Sequence, residues 1–385
     1  MEKKIKVIPL YLPQFHTIPE NDQWWGNGFT EWVNVKKAKP LFEGHNQPRV
    51  PLNNNYYDLS ELETLKWQCK LAKDYGIYGF CMYHYWFNGK LLLERPMEML
   101  LAHPEIEIKY CISWANHDWT DGWKGSEKSP KILIAHNFDD EADWVNHFNY
   151  MLPFFKDKRY MQENNKPILV IYIPNIIKKL DKMLNLWTKM AKENGFDGLT
   201  YIYQSAASSF DYSWNRDVFD YGVEMNPGYA NMCFDKSNKF NHIAKFIKYT
   251  HEIKRILGIK KSLMPKGQAK EVKQMDYDDL WTKILSLRPK QDGPKMIPCA
   301  VTDWDNTPRH GRRGSVYRGV STVKFDKYFK QLVDNTQNYY DTDMIFVFAW
   351  NEWAEGGYLE PDKLYGYGFL DVIKNIINES TLKSG

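Results

Sequence analysis

Eight short apolar runs recur along 385 residues, most of them separated by segments with helical spacing. They are Ile5–Leu12, Ile77–His84, Ile108–Ser113, Ile168–Ile173, Leu199–Tyr203, Val218–Met225, Ile297–Thr302 and Met344–Ala349. Runs this short, rich in β-branched and aromatic residues, fit strands buried on both faces. Helical patterns read at Leu59–Asp74, Asp140–Phe155, Leu180–Asn194, Asn241–Ile256, Thr322–Tyr339 and Gly368–Asn378. Ser60 followed by Glu63 reads as a capping box for the first of these. Gly195 stands where a C-terminal cap would close the third. Strands alternating with helices predict an α/β fold, a (β/α)8 TIM barrel with long β-to-α loops. A doubly wound open sheet is the competing arrangement. Against it, the first strand leads into a long aromatic loop with no GxGxxG turn. The whole chain, 1–385, reads as a single barrel domain, with a long loop at 13–59 and a lysine-rich excursion at 257–295. No linker composition divides it.

Composition narrows the class further. With 43% hydrophobic residues the chain has enough apolar material to exclude disorder. No run reaches the roughly 18 apolar residues that a spanning helix needs, so no membrane span is expected. The net charge is +3 with lysines spread along the chain, so no nucleic-acid footprint is read. Five cysteines, at 69, 81, 111, 233 and 299, form no close pairs, which argues against a disulfide framework or a zinc site. Cys81, Cys111 and Cys299 lie in the apolar runs and read as buried small hydrophobes. The opening MEKKIKVIPLYLPQFH reads as a first strand rather than a signal peptide, because Pro9 and Pro13 break its apolar run. A cytoplasmic location is the expectation.

Active sites of such barrels form at the carboxyl ends of the strands. The residues there are the candidates for substrate binding. The first run, Ile5–Leu12, has Tyr11 near its end and is followed by His16, Trp24, Trp25, Glu31 and Trp32. The second brings His84 and Trp86. The third brings Trp114, Asn116 and His117. Gln204 follows the fifth, Asn226 the sixth, and Trp304 and Asp305 the seventh. Asn351, Trp353 and Glu360 follow the eighth. Of 15 tryptophans, eleven (24, 25, 32, 86, 114, 119, 123, 214, 304, 350 and 353) fall in this group of loops. Indole rings mixed with short polar side chains suit a carbohydrate, whose C–H faces stack on rings and whose hydroxyls need polar partners. The plainer reading is that these rings pack the loops.

The sharpest element is WNEWAE at 350–355. Two carboxyls three residues apart at a strand end can converge on one pocket. An apolar, tryptophan-lined setting can raise one pKa to make a proton donor and leave the other ionised. Glycoside hydrolysis needs such a pair, so Glu352 and Glu355 are the candidate catalytic residues. Other patterns are weaker. His16, His84, His117 and Asp118 lack HxH or HExxH spacing, so no metal is assigned. Asp303/Asp305 and Asp341/Asp343 match a DxD pattern that can hold a metal with a nucleotide-sugar. Arg309, Arg312 and Arg313 with His310 form a basic loop that could meet an anionic sugar or phosphate, or simply face solvent.

Three segments carry a resemblance. YLPQFH at 11–16, NDQWWGNGFTEW at 21–32 and WNEWAEGGYLEP at 350–361 closely resemble the glycoside hydrolase family 99-like group, whose bacterial members are also called WbsX-type. The resemblance runs from about residue 5 to about residue 375. It implies a (β/α)8 barrel similar to retaining, endo-acting α-mannosidases. In that family one glutamate assists the sugar's own 2-hydroxyl in attacking C1, and a second protonates the leaving oxygen. By position the resemblance gives these roles to Glu352 and Glu355. The chain departs from the hydrolases at Ala354 and Gly357, where they carry His and Thr. The WbsX-type members also imply a second reading, a glycosyltransferase of lipopolysaccharide, O-antigen or capsule assembly. A non-catalytic sugar-binding barrel is a third. An oligosaccharide or polysaccharide is the expected partner, and no cofactor is called for.

Overall fold

The computed structural model describes residues 4–124, 131–205, 214–234, 271–289 and 293–383. Eight parallel strands follow one another in chain order: β1 (Lys6–Tyr11), β2 (Gly79–Phe87), β3 (Lys109–Trp114), β4 (Lys166–Ile171), β5 (Thr200–Ser205), β6 (Tyr221–Glu224), β7 and β8 (Met344–Phe348). β7 comes in two halves, Lys295–Ile297 and Cys299–Val301. The first half pairs with β6 and the second with β8, while β8 pairs with β1. Pro298 separates the halves. It has no N–H to give to a ladder, yet its carbonyl accepts from Phe346 N–H over 3.0 Å. The barrel therefore closes through a strand that changes partners at a proline.

Helices cover the sheet. The long loop after β1 holds α1 (Pro19–Trp25) and α2 (Glu31–Lys37), and α3 (Leu62–Asp74) leads back to β2. Then come α4 (Arg95–Ala102), α5 (Glu141–Phe155), α6 (Leu180–Glu193), α7 (Gly228–Phe234), α8 (Tyr277–Ser286), α9 (Thr307–His310), α10 (Thr322–Tyr339) and α11 (Gly368–Lys383). One apolar cluster joins strand residues such as Leu10, Phe80, Leu169 and Phe346 to helix residues such as Phe148, Trp187, Trp281 and Leu332. Strands buried on both faces account for the near-continuous apolar runs in the sequence.

Several local expectations change. Ser60 does not cap α3: its N–H is taken by Asp58 Oδ1, and the helix begins at Leu62 behind Glu61, with no side-chain cap. An Asx turn at Asp58 competes for the backbone that a capping box would use. Asp140 caps α5 by accepting from Ala142 and Asp143 N–H. Gly195 follows α6 at φ +92, the left-handed region that a residue without Cβ enters freely. The helix read at 241–256 lies outside the described residues, as do residues 257–270 and 290–292 of the 257–295 excursion. The described part of that excursion holds a strand at Lys273–Asp276 paired to Ser315–Arg318, then α8 capped by Asp276. Cys69, Cys81, Cys111 and Cys299 are buried thiols, and Cys233 is exposed. No helix among the described residues is long and apolar enough to cross a membrane.

Candidate active site

The loop after β8 is laced to the end of β1. Trp350 N–H donates to Leu10 O over 2.7 Å. The Asn351 side chain grips Leu12 at both ends, accepting from its N–H (2.8 Å) and donating to its carbonyl (3.0 Å). Asn351 and Glu352 pair antiparallel with Gly357 and Tyr358, and a 3-10 turn at Trp353–Glu355 bridges them. Two glutamates thus leave a tight, hydrogen-bonded hairpin, a rigid mount for reacting groups.

Arg309, on α9 after β7, meets both. Its Nη1 donates to Glu355 Oε1 (2.5 Å) and its Nη2 to Glu352 Oε2 (3.1 Å), while its Nε donates to Glu31 Oε2 (3.2 Å). Glu31 opens α2 and its side chain is fully buried. Burial works against charge on the guanidinium, but the three surrounding carboxyls outweigh it and hold Arg309 protonated. Burial pushes the Glu352 carboxyl up to about 8. Arg309 pulls against this, and the neighbouring Glu355 and Glu31 add to it. The guanidinium read from sequence as a cation for an anionic sugar is therefore engaged by acidic side chains of the protein itself.

Glu352, Glu355 and Arg309 line a cleft of 490 Å³ at the carboxyl end of the barrel, together with Gln14, Tyr83, Tyr85, His117, Tyr172, Asn226 and Trp304. Gln14, Tyr85 and His117 are shared with a 130 Å³ annex that adds Asn21, Trp25, Asp118 and Trp119. Burial lowers the His117 pKa, with Asp118 opposing, so this imidazole is neutral at pH 7. Its Nδ1 has no hydrogen-bond partner among the described residues.

Of the residues singled out by sequence, the cleft and its annex gather Glu352, Glu355, His117, Asn226, Trp304 and Trp25. Asn226 is committed to the backbone at Cys299 O and Ala230 N. Glu31 reaches the site through Arg309. The others lie elsewhere. Tyr11 donates to Gln68. His16 is buried, which lowers its pKa. Trp24 packs on Trp119, and Trp32 on Phe15, Tyr57 and Trp353. His84 shares a hydrogen bond with His147 (2.9 Å), and Trp86 stacks on that imidazole while donating to Asp143. Trp114 is buried against His147 and Trp187. Asn116 clamps the backbone of Ile173, and Gln204 donates to Ser113. Trp353 donates to Glu360, which also accepts from Tyr57 and Gln68.

The two DxD pairs are also accounted for. Asp303 accepts from Arg49 (2.7 Å). Asp305 Oδ2 accepts from His45 and Gln47, and its Oδ1 accepts from Thr307. Leu41 N–H donates to His45 Nδ1, which leaves Nε2 as the donor to Asp305. Asp341 and Asp343 precede β8 and pair with Lys295 and Lys6. Among the described residues, no three His, Cys, Asp or Glu side chains are placed to hold a metal. Tyr83, Tyr85, Tyr172 and Gln14 are cleft residues that the sequence reading did not select. Gln14 and Tyr172 stand just after β1 and β4, and Tyr83 and Tyr85 lie at and beyond the middle of β2, so nearness to the carboxyl end of a strand was the available signal.

A parallel barrel with a carboxyl-lined cleft at its strand ends is the architecture of many sugar-active enzymes. The chain belongs to the family described as glycosyltransferase WbsX, whose model matches residues 7–373. The WxcX proteins of two strains of Xanthomonas campestris pv. campestris, themselves described as uncharacterized, are 32% identical over 377 residues. That match takes in 97% of this chain but only 50% of theirs, so the chain spans about half the length of these relatives. In fold it is similar to the GH99 endo-α-mannosidase of Bacteroides thetaiotaomicron, at TM-score 0.57 and 12–13% identity over 98% of each chain. A glycoside hydrolase-like protein is similar at TM-score 0.54 and 12% identity, over 97% of this chain and 94% of its own.

Proposed function

We propose that this chain is a glycoside hydrolase that cleaves within an oligo- or polysaccharide, with Glu352 and Glu355 as the reacting pair. The observation that carries the reading is their convergence on one guanidinium in an open, aromatic-sided cleft. Such a site supplies what glycosidic cleavage needs: one protonated carboxyl for the departing oxygen and one ionised carboxyl to take a proton from the attacking hydroxyl. The attacking hydroxyl is the sugar's own 2-hydroxyl, followed by water, which retains configuration at C1. An α-mannoside-like sugar is the first substrate class to assay, given the endo-α-mannosidase of similar fold. The annex beside the cleft gives a chain room on a second side of the reacting sugar, in keeping with endo action.

The family's description motivates a second reading, sugar transfer from a nucleotide donor. Two observations weigh against it. The aspartates of the Asp303/Asp305 pair are occupied by Arg49, His45, Gln47 and Thr307. The cation that lines the described cleft, Arg309, is engaged by three carboxyls rather than placed for a diphosphate. The test is Glu355→Gln assayed on manno-oligosaccharides and on surface polysaccharide from bacteria that encode the chain. Loss of about 10²–10⁴-fold in turnover with an unchanged melting profile is expected. Turnover within a few-fold of the parent, or turnover that depends on a nucleotide-sugar, overturns the hydrolase reading.

A further inference from the structure

The annex beside the cleft is lined by two polar atoms that the described residues leave unanswered. Asn21, the third residue of α1, is 1% exposed, and its Nδ2 has no hydrogen-bond partner among the described residues. His117, after β3, is in the same state at Nδ1. Both residues line the 130 Å³ annex, and His117 also lines the cleft that holds Glu352 and Glu355. Buried donors and acceptors are ordinarily paired, so two orphans on one cavity call for an occupant. An amide nitrogen such as Asn21 Nδ2 can only donate. The His117 imidazole is kept neutral by burial, which outweighs the pull of Asp118, and a neutral imidazole has one nitrogen that accepts. The occupant therefore offers an acceptor to α1 and a donor to the loop after β3.

The remaining walls narrow its chemistry. Trp25, Trp119 and Tyr85 supply aromatic surface, and the Trp119 ring is set edge-on against Trp24, Tyr85 and Phe87. Among the described residues no Lys or Arg lines the annex, whereas Asp118 does, so a carboxylate, sulfate or phosphate finds no counter-charge there. One water needs about 10–15 Å³ of such space, so the annex has room for a group of several heavy atoms. A lone hydroxyl can accept and donate, but it leaves the rings facing water. A planar acylamino group carries a carbonyl oxygen, an N–H and a methyl on one rigid frame. It meets the amide, the imidazole and the rings at once.

We propose that the annex is a binding site for the acetamido group of an N-acetylated amino sugar: Asn21 donates to its carbonyl, His117 accepts from its N–H, and Trp25 and Trp119 cover its methyl. This rests on the hydrolase reading and deepens it by naming the class of glycan. The acetamido group belongs to the sugar next to the one being cleaved. It is not at C2 of the reacting sugar, whose own 2-hydroxyl must be free to attack. Gln14 and Tyr85, joined by a 3.1 Å hydrogen bond and shared by annex and cleft, stand between the two sugars.

Binding tests this without turnover. The probes are the methyl α-glycosides of N-acetylglucosamine, N-acetylgalactosamine and N-acetylmannosamine, each beside its parent methyl hexoside, observed by saturation-transfer NMR on the full chain. At least one N-acetylated probe should bind about tenfold tighter or more than its parent, with the strongest transfer at the acetamido methyl. Asn21→Leu removes the donor and should abolish that advantage without lowering the melting temperature, because the orphan it deletes was itself unfavourable. His117→Phe keeps a ring and removes the acceptor, so it should also reduce the advantage, and it keeps the test open if Asn21→Leu fails to fold. The proposal is overturned if acetylated and parent probes bind alike, if none binds, or if the advantage survives in the folded variants. A clear acetamido preference with no turnover on any glycan would count against the hydrolase reading and leave the annex as assigned. Cleavage of unacetylated glycans with no such preference would overturn this proposal and leave the hydrolase reading in place.

Discussion

The backbone N–H of Asp305 donates to the carbonyl of Glu355 over 2.7 Å, tying the loop after β7 to the turn that carries the second glutamate. The next residue, Gly356, makes that approach possible. It sits at φ +72, and a Cβ there would stand 2.8 Å from Asp305 N. Gly356→Ala should therefore combine left-handed strain with a backbone clash, and destabilise by about 1–3 kcal/mol. Because the clash pushes on the Glu355 mount, turnover should fall by more than the stability loss explains. Parent-like melting and turnover in this variant would remove the argument.

A second prediction concerns Glu224. It is buried at the end of β6, where Tyr340 OH donates to it over 3.1 Å, and burial pushes its carboxyl up to about 8. The folded pKa lies above the unfolded value, so folding favours the protonated form. That contribution is complete below about pH 4 and is lost as pH rises through 8. Each unit of separation corresponds to about 1.4 kcal/mol. Glu224→Gln keeps an acceptor for Tyr340 and cannot ionise. Thermal unfolding should show the variant gaining on the parent from pH 5 to pH 9. A constant difference across that range would mean that Glu224 does not carry the buried proton.

The barrel was legible in the sequence because its strands are buried on both faces, and such strands read as apolar runs whatever surrounds them. Ile168–Ile173 and Met344–Ala349 lie within two residues of β4 and β8 at each end. The break at Pro298 was less legible, since a proline inside a run does not reveal that the strand changes partners. Helices α4 and α7 are only two turns long, too short for a periodic signal. The glutamate pair stood out because it is local. The clamp that holds it did not, because Glu31, Arg309 and Glu352 come from three separate loops and only the fold brings them together. The tryptophans misled for a physical reason: a large ring near a strand end is as useful for sealing a loop as for stacking on a sugar. Trp114 and Trp353 are sealed away, whereas Trp304 lines the cleft.

Trp304 gives a third prediction. Its ring lies 5.4 Å from that of Phe348, and its Nε1 donates to Ser315 Oγ, so the ring is fixed before any ligand arrives. A preorganised ring that contacts ground state and transition state alike contributes to KM more than to kcat. Trp304→Ala should raise KM about tenfold or more and change kcat by a smaller factor. A fall in kcat with KM unchanged would instead place Trp304 against the reacting atoms.

Arg49 yields the strongest stability prediction. It comes from the long loop after β1, is almost fully buried, and donates to Asp303 over 2.7 Å while lying 3.9 Å from Asp305. Burial raises the Asp303 pKa, against the pull of Arg49. Asp305 shifts the other way: its hydrogen bonds from His45, Thr307 and Gln47, with the charge of Arg49, outweigh burial and hold it low. Removing one member of a buried ion pair strands the other, at a cost of about 3–5 kcal/mol. Arg49→Met should therefore lower unfolding stability by that amount in urea. Adding Asp303→Asn should restore part of it, since the stranded carboxylate is then gone. A double variant as unstable as the sum of the two singles would show that Arg49 acts through packing rather than through charge. Recovery in the double variant would identify the aspartate once read as half of a metal motif as one partner of an ion pair that fastens the first loop over the barrel, beside the hydrogen bond that positions Glu355.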